Sequence, residues 1–308
     1  MLDRILRAIK YRVLKYCGSA KCFASFLYEL TCGKKMNWKH PEDLNQWINW
    51  LAFNTDTTKW SELADKYGVR DFVAQKGFGD FLVPIIKVWS SPDEISLLDL
   101  PEKFVMKINN GSGDVRMVKN KEEVNEEELK NYFRGLYKRR FGKATAEPHY
   151  MKITPHIIVE QLLDNSKQQV KSNSLIDYKF WCFNGKPFIC FVITNRTKQS
   201  ITIETYSADN EWRCNSEEMI VYNEHHLRGS GKFPKPESLG QMLNAASILS
   251  KGFPEVRIDF YEIDGKPYFG EMTFTSQAGR MDYFTQYALD VMGQKCKEAA
   301  EELGIIKK

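Results

Sequence analysis

A chain of 308 residues, 43% hydrophobic and 27% charged, can bury a substantial core and is expected to divide into two or three subdomains. Its formal charge of +4, with no basic stretch interleaved with aromatics, argues against a nucleic-acid partner. Seven cysteines, an odd number with no Cys-x-x-Cys spacing, fit reduced thiols better than a disulfide framework or a zinc site.

The longest wholly apolar run, Phe188 to Ile193, is far short of a membrane span, and the N-terminus lacks the apolar core of a secretion signal, so a cytoplasmic location is expected. Eight basic against two acidic side chains put +6 on residues 1–35, leaving −2 on the rest. Within that segment residues 1–17 pattern as a basic amphipathic helix, which suits peripheral contact with an anionic membrane surface and equally suits packing on its own domain. Leu44, Trp47, Ile48 and Leu51 then keep helical spacing after Pro41-Glu42-Asp43. A second helix is expected over Trp60–Lys76, where Lys66 and Arg70 read as an exposed face, and a buried strand over Phe81–Val88.

Phe104–Ile108 is an apolar strand interrupted by Lys107, and it runs into Asn109-Asn110-Gly111-Ser112-Gly113-Asp114. A Gly-Ser-Gly turn exposes backbone N–H groups without Cβ obstruction and suits a phosphate cradle, with Lys107 as a point charge beside it; a plain hairpin turn is the alternative. Neither a Walker A loop nor Gly-x-Gly-x-x-Gly is present. Residues 125–141 form the cleanest helix, capped by Asn125, with Glu126–Glu128 in its first turn. Ile157–Leu163 is another strand, and 164–174 a polar connector.

Two hairpins follow. Asp177–Phe183 and Lys186–Arg196 flank Asn184-Gly185, a type I′ sequence; a two-residue turn there would place Asp177, Lys179, Trp181, Cys190, Val192 and Arg196 on one face. Ile201–Tyr206 is a strand, and the adjacent His225-His226 point apart, which argues against a metal pair. After a helix at Leu239–Leu249, Val256–Thr273 reads VRIDFYEIDGKPYFGEMT, a hairpin carrying Asp259 and Glu271 between apolar neighbours. A half-buried carboxylate on a strand must be paired or hold a metal. Pairing Asp259 with Glu271 also pairs Arg257 with Thr273 and calls for an odd loop, such as Asp264-Gly265-Lys266; a two-residue turn would put the acids on opposite faces. Tyr287–Leu303 closes the chain as a helix.

DKYGVR at 65–70, FVMKINNGSG at 104–113, VEQLL at 159–163, DYKFWCFNGKP at 177–187 and VRIDFYEIDGKPYFGEMTFTSQAG at 256–279, in this order, resemble the ATP-grasp superfamily. The resemblance is closest to its TupA-like branch, associated with teichuronopeptide and polysaccharide biosynthesis, and covers about Asn37 to Asp290. It implies an α+β ATP-grasp fold, two α+β subdomains gripping a nucleotide, with an N-terminal, mainly helical region. The implied division is a basic segment at 1–35, a helical pre-ATP-grasp region at 36–100, subdomain A at 101–163 and subdomain B with the metal site at 164–308.

The same resemblance implies that Lys66 and Lys107 hold ATP phosphates, overturning the bland reading of Lys66, with Gly111, Ser112 and Gly113 as the loop above them. Glu160–Leu163 would be the adenine hinge, Gln161 and Leu162 offering backbone groups and Glu160 or Asp164 lying near the ribose. Lys179, Arg196 and Arg257 would face phosphate charge, and Asp259, Glu271 and Thr273 would hold one or two Mg²⁺ ions. Thr273 stands where the usual metal motif, Glu-x-Asn, has asparagine, which weakens the third ligand.

The implied activity is an ATP-dependent carboxylate–amine ligase working through an acyl-phosphate. Its expected partners are an amino acid or amino alcohol and a uronic acid or peptide carboxylate of a bacterial surface polymer. A glycosyltransferase is a rival, although no Asp-x-Asp occurs, and a non-catalytic nucleotide-binding scaffold is another.

Overall fold

The computed structural model describes residues 18–139 and 141–307, so the expected basic helix 1–17 lies outside the described residues. Contacts divide the chain into two units: residues up to Ala24, Asp56–Phe72 and Val83–Leu162 form one, and Ser25–Thr55, Val73–Leu82 and Leu163 onward form the other. The stretch 36–100 is therefore shared between them. Among the described residues no helix is long and apolar enough to cross a membrane.

The first unit is built on a four-stranded antiparallel sheet of order β1-β4-β2-β3, with β1 at Ile85–Trp89, β2 at Phe104–Ile108, β3 at Val115–Val118 and β4 at Ile157–Gln161. Alternation along β2 sends Phe104 and Met106 to the core, where they join Trp89, Ile157 and Val159. Helix Glu126–Arg139 covers that core with Leu129 and Phe133, and Asn125 caps it by accepting the Glu127 and Glu128 N–H groups at 2.9 and 3.1 Å. Lys107 and Glu160 are left on the opposite face.

Two expected elements differ. The strand set at Phe81–Val88 begins only at Ile85, because Pro84 has no N–H to give a ladder; its carbonyl accepts from Gln161 N at 3.0 Å. The helix set at Trp60–Lys76 breaks. Thr58–Ala64 stops at Asp65, whose Oδ1 accepts from Tyr67 N at 2.8 Å in a local turn, Val69–Val73 resumes, and a wider turn at Ala74–Phe78 ends around Gly77 at φ 90°.

The second unit carries a six-stranded sheet of order β10-β9-β5-β6-β7-β8. Its strands are β5 at Asp177–Phe183, β6 at Lys186–Thr194, β7 at Ile201–Ser207, β8 at His226–Arg228, β9 at Val256–Ile263 and β10 at Lys266–Thr273. All neighbours run antiparallel except β7 and β8. Helix Leu239–Ser250 packs against β5, β6 and β9, while helix Gln286–Glu302 packs on helix Leu44–Asn54. Gly293 makes that approach possible, since a Cβ there would lie 2.7 Å from the Asp43 carbonyl carbon.

Both hairpins depart from expectation, the β9–β10 hairpin in its loop and the β5–β6 hairpin in its register. The β9–β10 connection is the two-residue turn Asp264-Gly265, at φ 51° and 69°, with Lys266 opposite Ile263; the odd loop does not occur. A bulge at Gly270 nevertheless resets the ladder, so that Glu271 faces Asp259 and Thr273 faces Arg257. In the β5–β6 hairpin the Asn184-Gly185 turn is present, but the register slips between Trp181 and Cys182, with Phe188 as the extra residue. Lys179 therefore opposes Phe191, and Cys190 and Val192 fall on the opposite face from Lys179, contrary to the expectation.

Candidate active site

Cross-strand partners share a face, so Glu271 on β10, Asp259 on β9 and Lys179 on β5 form one row across three adjacent strands, with Thr273, Arg257 and Trp181 as the next row. Arg257, 9% exposed, organises both. Its Nε donates to Asp259 Oδ1 at 2.7 Å and its Nη2 to Asp259 Oδ2 at 2.8 Å, a bidentate fork. The same Nη2 reaches Glu271 Oε1 at 3.0 Å and Thr273 Oγ1 at 3.1 Å, and Nη1 reaches Ser276 Oγ at 3.2 Å. Trp181 lies beneath, its ring 5.5 Å from the guanidinium.

Lys179 Nζ donates to Asp259 Oδ2 and meets Asp177 Oδ1 at 3.1 Å, and Arg196 Nη2 donates to Asp177 Oδ2 at 2.8 Å. Arg196 lies past the end of β6 and reaches Asp177 because Asn195, at φ 48°, turns the chain. Charges in this array hold one another. Burial works against the Lys179 and Arg257 cations, but the facing carboxylates outweigh it and both pKa values are raised. Burial likewise disfavours the Asp177 anion, yet Lys179 and Arg196 pull its pKa below the usual carboxylate range.

In the first unit, Lys107 Nζ lies 2.6 Å from Glu160 Oε2, and Arg70 Nη1 lies 3.5 Å from Glu160 Oε1 while Nη2 donates to the Val83 carbonyl at 2.8 Å. Lys66 Nζ donates to the Gly111 carbonyl at 2.7 Å. The break at Asp65 makes this possible, because Asn109 Nδ2 donates to Asp65 Oδ1 at 2.7 Å and Lys66 N to the Asn109 carbonyl at 3.2 Å, tying the broken helix to the loop. A Cβ at Gly111 would come within 3.0 Å of Asp114 Oδ2 and Ile108 Cγ2, and Gly113 sits at φ 75°. Ser112 at the tip is exposed.

The TupA-like ATPgrasp family profile matches residues 46–297. The chain belongs to this family. As an ATP-grasp protein it is an ADP-forming ligase with an α+β fold. Among solved structures, the D-alanine–D-alanine ligase from Bacillus anthracis aligns at 14% identity over 84% of this chain and 69% of that one, with a TM-score of 0.43. The D-alanine–D-alanine ligase from Helicobacter pylori aligns at 11% identity over 84% and 67%, with a TM-score of 0.44. A Chryseobacterium gregarium RiPP-associated ATP-grasp ligase, in complex with ADP and a leader and core peptide, aligns at 13% identity over 85% and 67%, with a TM-score of 0.38. No curated protein matches the chain in sequence.

Within this ATP-grasp chain, Asp259, Glu271 and Thr273 offer the oxygen donors that magnesium prefers, and Glu271, with a side chain 26% exposed, is the most open of them. Among the described residues no three His, Cys, Asp or Glu side chains form a metal-like cluster, so the hydroxyl of Thr273 and oxygens from outside the chain would complete the shell. The donor set suits a hard cation, and in this structure Arg257 and Lys179 engage the same carboxylate oxygens. Of the residues expected at an adenine hinge, Gln161 has its N–H committed to the Pro84 carbonyl at 3.0 Å, and Asp164 Oδ1 accepts from Ser166 N at 3.0 Å as a turn cap.

Sequence reasoning placed Asp177 beside Lys179, where the structure pairs them, and missed Arg70, Asn109 and Ser276. Arg70 read as an exposed helical face with Lys66, but the helix breaks at Asp65 and Arg70 turns to Glu160. Ser276 and Asn109 left no signal, because their partners are distant along the chain.

Proposed function

We propose that this ATP-grasp ligase activates the carboxylate of a uronic acid or peptide in a bacterial surface polysaccharide and joins it to an amino acid or amino alcohol. The observation that carries the reading is the row of Glu271, Asp259 and Lys179 over a buried Arg257, a balanced array of acids and cations suited to charge that grows on phosphoryl oxygens. The family's association with teichuronopeptide and polysaccharide synthesis supports the acceptor class.

On this reading, a carboxylate oxygen of the acceptor attacks the γ-phosphorus of ATP, the bond to the β–γ bridging oxygen breaks, and ADP leaves. The free amine then attacks the acyl carbon, the bond to the phosphate oxygen breaks, and inorganic phosphate departs carrying the proton lost by the nitrogen, giving an amide. Bound magnesium would supply Lewis-acid neutralisation of phosphate charge, held by Asp259, Glu271 and Thr273. Lys179 and Arg257 hold phosphoryl oxygens in line with the attacking carboxylate, each already kept protonated by its carboxylate neighbours. Arg196, the most exposed of the three cations, orients the acceptor carboxylate. Within the first unit, Lys107, Lys66 and the Gly111–Gly113 loop are suited to phosphate charge.

An ADP-release screen of uronic-acid and carboxylate-bearing peptide acceptors against amino acids and amino alcohols, with magnesium, tests the proposal. The expected result is ADP formed only when both partners are present, a product heavier by the amine less water, and loss of turnover in Glu271→Gln. Release of ADP independent of both partners, or consumption of a nucleotide sugar without ATP, overturns it.

A further inference from the structure

Asn45 and Asn49 stand one turn apart on helix Leu44–Asn54, 2% and 4% exposed. Amides buried this deeply require hydrogen-bond partners. Both find them in the segment that follows β10. Asn45 Nδ2 donates to the Met281 carbonyl at 3.0 Å, and Met281 N donates back to Asn45 Oδ1 at 2.9 Å. Asn49 Nδ2 donates to the Gly279 carbonyl at 3.0 Å and to the Asn45 carbonyl at 2.9 Å.

The segment they grip has an uncommon backbone. Gln277, Ala278 and Gly279 lie at φ 43°, 53° and 63°, three successive left-handed residues, closed by Ala278 N to the Thr275 carbonyl at 2.7 Å and Gly279 N to the Ser276 carbonyl at 2.9 Å. Two of the three carry a Cβ, which disfavours this conformation, so the turn persists only where surrounding contacts over-determine it. A Cβ at Gly279 would fall 2.3 Å from Asn49 Nδ2, so the glycine is required by the grip as well as by its φ. The turn begins at Ser276, fully buried, whose hydroxyl receives Nη1 of Arg257. The other side of that guanidinium holds Asp259, Glu271 and Thr273.

We propose that Asn45 and Asn49 are positioning residues for the acid site: by holding the 277–279 turn left-handed they keep Ser276 against Arg257, and so keep Glu271 and Asp259 aligned for a magnesium nucleotide. The inference rests on the proposed function. It assigns part of the site's geometry to a helix more than 200 residues upstream, although no residue of that helix carries a charge.

The test is calorimetric binding of AMP-PNP to the full chain, with magnesium and in EDTA. Asn49→Asp preserves side-chain volume while replacing the donor that faces the Gly279 carbonyl. In a variant that keeps the wild-type circular dichroism, the magnesium-dependent gain in affinity should fall about tenfold, with the EDTA affinity unchanged. Adding Gln277→Gly, which adopts a left-handed φ without cost, should restore most of the gain. A merely structural role would lower both affinities together and would not be rescued, and either result overturns the proposal, as does an unchanged gain. If Asn49→Asp does not fold, Asn45→Ser decides by the same measurements. A wild-type protein without any magnesium-dependent gain defeats the proposed function itself; a wild-type gain that the variants retain defeats only the role of the asparagines.

Discussion

Lys107 and Glu160 meet at 2.6 Å on the face of the four-stranded sheet turned away from its core, Glu160 having Arg70 as a second, longer-range cation at 3.5 Å. Both side chains are largely buried, at 16% and 8% exposure, so the pair is costly to break from one side. Lys107→Met is expected to lose about 2 kcal/mol, held below the usual range for a buried pair by the remaining contact to Arg70. Glu160→Gln in the same chain should recover part of it. Urea unfolding of the two single variants and the double variant gives the coupling; a double variant no more stable than Lys107→Met rules the pair out as the source.

The Gly270 bulge is the device that puts the two acids face to face. A Cβ there would stand 3.1 Å from the Asp259 carbonyl oxygen and 3.4 Å from the Asp259 Cβ, so the neighbouring strand must shift by a few tenths of an ångström. Gly270→Ala should cost about 1 kcal/mol and Gly270→Val about 2 to 3 kcal/mol. Magnesium-dependent AMP-PNP binding should weaken in the same order. A valine variant with unaltered unfolding midpoint and unaltered magnesium dependence would show that the bulge does not control the register.

That bulge marks the limit of what the residues alone disclosed. FVMKI and VRIDFYEI announce strands through alternation, Asn184-Gly185 and Asp264-Gly265 announce turns through left-handed φ, and two half-buried acids on one hairpin ask for a common face. Parity then required an odd loop, and the protein reached the same facing by a two-residue turn and one extra residue in the strand. An extra residue changes neither composition nor periodicity enough to be seen in eight positions, and the equivalent slip at Phe188 moved Cys190 and Val192 to the other face. Asp65 broke a helix whose apolar spacing ran through it, because a short side chain that accepts its own backbone N–H competes with the helical bond. Asn45 and Asn49 carry no signal in the sequence; their partners at Met281 and Gly279 are reached only by tertiary folding.

Asp177 links two cations, and its depressed pKa fixes the pH behaviour of that link. An acid whose folded pKa lies below its unfolded value contributes stability that is complete above the unfolded carboxylate range and is lost as pH falls through the folded value. Asp177→Asn is therefore expected to cost about 3 kcal/mol at neutral pH, leaving Lys179 and Arg196 short of a counter-ion. The wild-type and variant stability curves should converge below about pH 4, where the unfolded carboxylate protonates. Curves that stay parallel down to pH 3 would mean that the pair with Lys179 and Arg196 is not what Asp177 contributes.

His149 supplies the opposite chemistry with the same sign. Its ring is fully buried, set edge-on to Trp60 at 5.8 Å and against Tyr150 at 4.3 Å, and among the described residues neither ring nitrogen has a hydrogen-bond partner. Burial lowers its pKa to about 3, with Lys152 adding to the shift. The unfolded chain, with an ordinary histidine, takes up a proton below about pH 6.5 that the folded chain refuses, so stability is complete above that pH and falls on acidification until the folded pKa is reached. The slope is about 1.4 kcal/mol per pH unit, which amounts to about 2 kcal/mol between pH 7 and pH 5. His149→Phe keeps an aromatic ring against Trp60 and removes the proton, so it should lose about 2 kcal/mol less than the wild type over that interval. Urea midpoints of the two proteins at pH 7 and pH 5 measure the difference, and equal losses would show that the acid sensitivity arises elsewhere.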